Sequence, residues 1–280
     1  MEAAVFGENP IGIIQGRLTA SGGKLQCFPH GKWKEEFFVA RDVGFDCIEL
    51  IVEKQAGAPN PIWEPDGVEG LVEAARASGV KTLSVCDDRV MDAGLLKADG
   101  PEADAAFEAI VKLLRQISRV GATRLVLPFL EAASLKADKG GFLAVKGRLE
   151  RLVAPAEESG VTLMIEDDLP IPLQRELLSS AGGKIGVCYD TGNRIWHGFD
   201  PAAEILELGP LVRHVHIKDK AADGKNVMLG TGRVDFPSVF ASLKTVGYAG
   251  PLILETSRGD EEVRAGRENL AFVKSFLNQG

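Results

Sequence analysis

The sequence predicts a closed (β/α)8 barrel, on the evidence of a repeated pattern, a set of apolar strands and the chain length. An amphipathic segment, a glycine and a short apolar strand recur five times, with the glycines at Gly44, Gly79, Gly121, Gly160 and Gly247. A glycine tolerates the positive φ that is common where a helix ends and a strand follows. Eight such units in about 250 residues make up a barrel of the usual size, and this chain has 280 residues.

Eight apolar segments are predicted as the strands of this barrel. They cover residues 11–17, 45–50, 80–85, 123–127, 161–166, 185–190, 212–219 and 251–255. They are rich in Val, Ile and Leu, as is typical of a parallel sheet that is buried on both faces. The segments between them have helical periodicity, for example in the apolar stripe of Ile110, Leu113, Leu114 and Ile117.

An open, doubly wound sheet is the competing fold. It would usually carry a glycine-rich phosphate-binding turn after its first strand, and residues 13–17, Ile-Ile-Gln-Gly-Arg, do not form one. No composition shift marks a domain boundary. We therefore expect one barrel domain over residues 1–280.

Composition and charge exclude several classes of protein. Hydrophobic residue types make up 45% of the chain and charged types 26%, which is typical of a globular protein and excludes disorder. The 32 Lys and Arg residues are outnumbered by 40 Asp and Glu residues, for a net charge of −8. A general nucleic-acid or acidic-membrane binder is not expected, because such proteins need a basic face.

The distribution of apolar residues and cysteines predicts the cellular location of the protein. No run of 18 or more apolar residues occurs, and the first residues have no basic segment of the kind that begins a signal peptide. Three of the four cysteines, Cys47, Cys86 and Cys188, fall in apolar stretches, where a thiol behaves as a small buried hydrophobe. We expect a cytoplasmic protein without a membrane span.

Four consecutive predicted strands end in residues that can bind a metal, namely Glu166, Asp190, His216 and Glu255. The C-terminal ends of barrel strands surround one mouth, so we expect these side chains to lie together. Burying three carboxylates there is costly unless positive charge compensates them, and a divalent cation would do so. One imidazole and three carboxylates favour Mn²⁺, Mg²⁺ or Co²⁺ over a structural zinc site.

At these residues the chain resembles the sugar-phosphate isomerase/epimerase family of xylose isomerase-like barrels, which includes ketose 3-epimerases and inosose dehydratase. The resemblance rests on the order Glu, Asp, His, Glu at the strand ends, on the signature His216-Ile-Lys-Asp219 and on the loop Leu229-Gly-Thr-Gly232. It implies a carbohydrate substrate and one divalent metal per chain, Mn²⁺ first, with Mg²⁺, Co²⁺ and Zn²⁺ as alternatives. A homo-oligomer is expected from this resemblance alone.

The resemblance also implies a reaction, the isomerisation or epimerisation of a ketose, its phosphate or a related keto-sugar. A cation chelated by two neighbouring sugar oxygens would polarise the carbonyl and stabilise an enediolate. Glu166 and Glu255 would form the catalytic pair, one removing a proton and the other returning it to the opposite face. Asp190 and His216 would act mainly as ligands, with the second nitrogen of His216 held by a neighbouring acceptor.

Further residues near the strand ends are predicted to contact the substrate: Arg17, His30, Glu49, Asp87, Asn193 and Lys218. For Glu49, the orientation of a metal ligand and a structural ion pair are alternatives, and His214 is predicted to be a hydrogen-bonded core histidine. Characterised ketose 3-epimerases have a His where this chain has Asn193, and a carboxylate where it has Pro172. We therefore expect different substrate contacts.

Two other functions are kept as alternatives. A lyase or dehydratase would use the same metal and carboxylates but expel a leaving group, so deuterium exchange without loss of that group separates the two reactions. A non-catalytic sugar-binding protein would be favoured by a missing ligand, and none of the four is missing. The related three-zinc repair endonucleases use many histidines, and this chain has four, so an abasic-site nuclease is not expected.

Overall fold

The computed structural model describes residues 6–53, 60–91, 96–97 and 99–277. Its barrel strands are β1 (Ile11–Ile14), β2 (Cys47–Val52), β3 (Lys81–Asp87), β4 (Arg124–Phe129), β5 (Thr162–Asp167), β6 (Gly186–Asp190), β7 (Val212–Ile217) and β10 (Leu252–Leu254). These eight strands close in the order β1, β10, β7, β6, β5, β4, β3, β2. A separate antiparallel pair consists of β8 (Asp219–Lys220) and β9 (Asn226–Val227). The predicted (β/α)8 class is confirmed.

Helices follow the barrel strands along the chain. They are α1 (Trp33–Val43), α2 (Pro65–Ser78), α3 (Pro101–Arg119), α4 (Lys139–Glu158), α5 (Ile171–Ser179), α6 (Thr191–Trp196), α7 (Pro201–Leu208), α8 (Phe236–Thr245) and α9 (Glu262–Leu277). The predicted stripe on α3 is buried, with Ile110, Leu113, Leu114 and Ile117 each at most 2% exposed. Among the described residues, no helix combines the length and the apolar character that crossing a membrane requires.

The first strand is shorter than predicted, because the chain turns directly after Ile14. Gly16 has φ +89°, and a side chain there would collide with the backbone carbonyl of Cys27. The buried carboxylate of Glu36 accepts hydrogen bonds from the amides of Gly16, at 2.9 and 2.8 Å, and Leu18, at 3.0 Å. Arg17 therefore lies in a loop and not at the end of a strand.

The chain divides into two compact units, of which the first comprises Met1–Glu49, Arg76–Lys81 and Cys188–Gly280. In this unit β10 pairs in parallel with both β1 and β7, and Ile253 lies opposite His216. Helices α8 and α9 contact each other through aromatic rings, with Phe240 stacked on Phe276 at 4.6 Å between centroids. The parallel pairing of β10 with β7 places the C-terminal ends of these two strands side by side.

The second unit comprises Leu50–Ala75 and Thr82–Val187. Its central strands β4 and β5 pair along their whole length, from Arg124 opposite Thr162 to Phe129 opposite Asp167. Helix α3 packs against α4, and α4 packs against α5. That residues 1–280 form one domain stays a prediction.

Candidate metal centre and active site

Three of the predicted ligands come together in the first unit. Asp190 is the last residue of β6, His216 lies one residue before the end of β7, and Glu255 directly follows β10. The Nδ1 atom of His216 lies 3.1 Å from Glu255 Oε2 and 4.0 Å from Asp190 Oδ2. The three side chains offer ligand atoms that all lie within 4.8 Å of one another. Because each residue is less than a tenth exposed, this is a buried group of metal-compatible donors.

Lys218 brings positive charge to the same place. Its Nζ atom lies 2.8 Å from Asp190 Oδ2 and 2.8 Å from Glu255 Oε1. The aliphatic part of Lys218 runs past Gly192, where an added Cβ would lie 2.7 Å from Lys218 Cγ. The absence of a side chain at position 192 therefore lets the ammonium group reach the two carboxylates.

The surroundings of Glu255 favour its ionised form. Burial by itself raises the pKa of this carboxyl group, but the charges of Lys218, His216 and Arg17 outweigh burial, and the pKa lies well below its ordinary value. The Nη2 atom of Arg17 is 3.7 Å from Glu255 Oε1. Glu255 is therefore an anion at neutral pH in this setting.

Glu49, at the third position of β2, contacts two imidazoles. Its Oε1 atom lies 2.9 Å from His216 Nε2, and its Oε2 atom lies 2.8 Å from His214 Nε2. All three side chains are completely buried. Burial raises the pKa of Glu49, but the two imidazoles more than offset this, so the pKa is well below its ordinary value. His214, predicted to be a core histidine, is buried beside a carboxylate.

Glu166 lies in the second unit, at the fifth position of β5, opposite Pro128 of β4. It is 4% exposed. The next two residues, Asp167 and Asp168, form hydrogen bonds with neighbouring residues of the second unit. Asp167 accepts hydrogen bonds from the amide of Leu169 and the side chain of Gln174, and Asp168 accepts one from the hydroxyl of Ser134.

Two residues predicted to contact the substrate are engaged with the protein. Arg17 is 2% exposed, and its guanidinium donates to the carbonyls of Thr256 and Leu25. Asp87 is ion-paired with Arg89 through both oxygens, each 2.7 Å from a guanidinium nitrogen. Their predicted roles stay untested predictions, and these contacts indicate positioning of loops and neighbouring side chains.

Asn193 and His30 differ in their surroundings. The backbone amide of Asn193 donates to Asp190 Oδ1 at 2.6 Å, so Asp190 caps α6 with one oxygen and faces Lys218 with the other. His30 is exposed, with its ring 5.0 Å from that of Phe28. Whether either side chain contacts substrate stays a prediction.

The sequence reasoning did not identify a role for Asp219, which organises the loop after β7. Its two oxygens accept hydrogen bonds from four backbone amides, those of Lys220, Gly230, Gly232 and Val234. An Asp two residues after an apolar strand, followed by a loop that contains Gly224, Gly230 and Gly232, is the sequence signal that could have indicated this role.

Glu36 was likewise not identified. It is completely buried on α1, and its hydrogen bonds to Gly16 and Leu18 fix the loop that carries Arg17. An acidic residue between apolar positions of an amphipathic helix, as in Glu36-Phe37, is the signal for such a carboxylate.

A closed parallel barrel with carboxylates and an imidazole at its strand ends defines a class of metal-compatible α/β-barrel proteins. The model of the xylose isomerase-like TIM barrel family matches residues 37–276. The chain belongs to this family, and the predicted resemblance is confirmed.

Relatives and solved structures agree with this family. L-ribulose-5-phosphate 3-epimerase UlaE of Salmonella paratyphi C (strain RKS4594) is 27% identical over 260 residues, which cover 88% of this chain and 86% of the relative. The structure of an L-ribulose 3-epimerase matches 96% of this chain and 95% of its own, with TM-score 0.78 and 18% identity. The structure of the IOLI protein, which has a bound zinc atom, matches 96% of this chain and 98% of its own, with TM-score 0.76 and 14% identity.

Proposed function

We propose that this protein is a divalent-metal-dependent epimerase or isomerase that acts on a ketose, its phosphate or a related keto-sugar. The prediction of an isomerase-class enzyme is confirmed by the curated relatives, which are named epimerases. The observation that carries the metal-dependent part of the proposal is the buried group of Asp190, His216 and Glu255, whose ligand atoms lie within 4.8 Å of one another.

Glu166 would complete the ligand set. It lies at the fifth position of β5, next to the C-terminal end of that strand, and is 4% exposed. Three carboxylates and one imidazole suit a hard divalent cation, for which Mn²⁺ is the first candidate and Mg²⁺, Co²⁺ and Zn²⁺ are alternatives. When bound, such a metal supplies Lewis-acid polarisation of the sugar carbonyl.

Two carboxylates of this protein would transfer the proton on the sugar carbon that is inverted. One carboxylate of the pair Glu166 and Glu255 removes the proton from the carbon next to the carbonyl, and the other returns it to the opposite face, which inverts that carbon. In the reverse reaction the two carboxylates exchange these roles. Lys218 would contact a substrate oxygen, because its ammonium lies beside both Glu255 and Asp190.

The substrate can be found with a panel of free ketoses, ketose phosphates and 3-keto sugars, with L-ribulose 5-phosphate first because of the curated relatives. The Mn²⁺-loaded protein is incubated with each sugar in D₂O, and the recovered sugars are analysed by NMR. We expect deuterium at the inverted carbon. Release of water or a glycosyl group would support a lyase instead, and binding without any exchange would support a sugar-binding protein.

Two variants test the catalytic pair. Glu166→Gln and Glu255→Gln keep the size of the side chain but remove the proton-accepting carboxylate. We expect turnover to fall by at least 100-fold in each, in line with the usual contribution of general acid–base groups. Manganese content is measured alongside. Unchanged turnover in both variants with metal still bound would remove the acid–base half of the proposal.

We also propose a cytoplasmic location and a homo-oligomer. All four cysteines are buried as thiols, which agrees with a reducing compartment. Cell fractionation tests the first proposal. Light scattering coupled to size-exclusion chromatography tests the second, against a chain mass of 29.9 kDa.

A further inference from the structure

The carboxylate of Glu49 connects two histidines of one strand. His214 and His216 are two residues apart on β7, so their side chains lie on the same face of the strand. Their rings are 5.2 Å apart and nearly perpendicular, at 77°. Each presents Nε2 to a different oxygen of Glu49, at 2.8 and 2.9 Å. One buried carboxylate therefore faces both imidazoles.

This arrangement fixes where the proton of His216 lies. An ionised carboxylate only accepts hydrogen bonds, so the nitrogen that faces it must carry a hydrogen. When the ring is neutral, as it is when it binds a metal, the other nitrogen then has the lone pair. For His216 that nitrogen is Nδ1, which lies 3.1 Å from Glu255 Oε2 and 4.0 Å from Asp190 Oδ2. The lone pair therefore points toward the other candidate ligands.

We propose that Glu49 is a positioning residue that holds His216 in the tautomer whose Nδ1 atom binds the metal. This inference rests on the proposed function, since it concerns the same metal. A hydrogen bond from the second imidazole nitrogen to a carboxylate orients a metal-binding histidine and increases its basicity. Glu49 itself does not contact the metal or the sugar, because both of its oxygens are turned to the histidines.

The variant Glu49→Gln tests this proposal with little change in shape. A glutamine amide has one oxygen that accepts and one nitrogen that donates. It can therefore accept a hydrogen bond from one imidazole only, and the other imidazole must change tautomer or lose its contact. We expect a weakening of Mn²⁺ binding by 10- to 100-fold, the usual effect of losing such a partner, measured by isothermal titration calorimetry.

Glu204→Gln is the matched control. Glu204 is also a buried glutamate, but it contacts Tyr189 and Arg194 and not a candidate ligand. The same substitution there should leave Mn²⁺ affinity within twofold of the unchanged protein. Equal losses of affinity in both variants would mean that any buried glutamate matters equally, and this would overturn the positioning role.

The tautomers can be observed directly by NMR of protein labelled with ¹⁵N in its four histidines. In the protein loaded with diamagnetic Zn²⁺, where Nδ1 binds the metal, we expect the ring of His216 to carry its hydrogen on Nε2. A hydrogen on Nδ1 would overturn the proposal without any variant. The same spectrum of Glu49→Gln should show that at least one of His214 and His216 has lost the Nε2–H form.

Cobalt provides an independent measurement of where the metal binds. Cys188, His214 and His216 also offer atoms within 4.8 Å of one another, and a thiolate ligand would give a charge-transfer band with Co²⁺. We expect no such band in the unchanged protein, and its appearance would overturn the proposal. If the protein bound no metal, the proposed function would fail, whereas turnover combined with unchanged Mn²⁺ affinity in a Glu49→Gln protein whose His216 has lost its Nε2–H form would refute the role of Glu49 alone.

Discussion

The ammonium of Lys218 lies 2.8 Å from Glu255 Oε1, in a part of the site where Lys218 is 5% and Glu255 8% exposed. The same nitrogen is equally close to Asp190. A buried cation between two buried carboxylates compensates charges that would otherwise be costly.

Replacing Lys218 by Met should destabilise the metal-free protein. The variant leaves Asp190 and Glu255 without their shared cation, and breaking a buried pair in this way costs about 3 to 5 kcal/mol. Lys184→Met is the control, because Lys184 and Glu157 form a half-exposed pair at 2.7 Å, for which a loss of about 0 to 1 kcal/mol is expected. Urea unfolding measures both, and similar losses would contradict the prediction.

Replacing Gly192 by Ala should disturb the site through Lys218. The new Cβ would lie 2.7 Å from Lys218 Cγ and 2.9 Å from its Cβ, so the lysine has to move. We expect a loss of about 1 to 3 kcal/mol in the free energy of unfolding and reduced turnover with the identified sugar.

Gly147→Ala provides the comparison for this substitution. Gly147 is also in a helix, and an added Cβ there meets no atom within 4 Å. Alanine should stabilise that helix by about 0.5 to 1 kcal/mol and leave turnover unchanged. If Gly192→Ala behaved in the same way, the close approach of Lys218 would have no energetic consequence.

Glu36 should make stability depend on pH. Burial raises its pKa from an ordinary 4.5 to about 7, although the amides of Gly16 and Leu18 and the charges of Arg258 and Arg17 act in the opposite direction. A pKa raised by folding means that the stabilisation is complete below pH 4.5 and is lost as the pH rises through 7. At about 1.4 kcal/mol per pKa unit, we expect a change of roughly 3 kcal/mol.

The measurement is urea unfolding between pH 4.5 and pH 8. Glu36→Gln should lose this part of the pH dependence, whereas Glu35→Gln, which changes an exposed neighbour on the same helix, should keep it. Parallel curves for the two variants would show that Glu36 does not bind the proton in question.

Asp219→Asn should loosen the loop after β7. Asp219 now accepts hydrogen bonds from four backbone N–H groups, and the NH₂ group of asparagine would face two of these donors with another donor. Hydrogen bonds to a charged group contribute about 1.5 to 3 kcal/mol each, so we expect a loss of at least about 2 kcal/mol and faster proteolysis within residues 229–234. Asp235→Asn, at an exposed helix cap, should cost less than about 1 kcal/mol and leave the cleavage rate unchanged.

The barrel could be predicted from the sequence because its strands are apolar segments that end in single polar residues. Asp190 and His216 were identified in this way, since each lies within one residue of the end of a strand. The pattern depends on burial of both faces of each strand. This local pattern does not predict which side chains of distant strands contact each other.

The contacts of Glu49 and Arg17 could not be predicted for this reason. Glu49 and His216 are 167 positions apart, and Arg17 and Thr256 are 239 apart. A cation near a strand end is compatible with an anionic substrate or with a backbone carbonyl, and composition does not distinguish them. The early end of β1 depends on Glu36, which lies 20 positions beyond Gly16.

The carbonyl of Leu25 accepts hydrogen bonds from Arg17 and from Arg258, which follows β10. Only the main chain at position 25 takes part, while the leucine side chain is 44% exposed. Many amino acids should therefore be tolerated at this position in a saturation library. Insertions or deletions in the segment should not be, because they would move the oxygen away from both guanidinium groups.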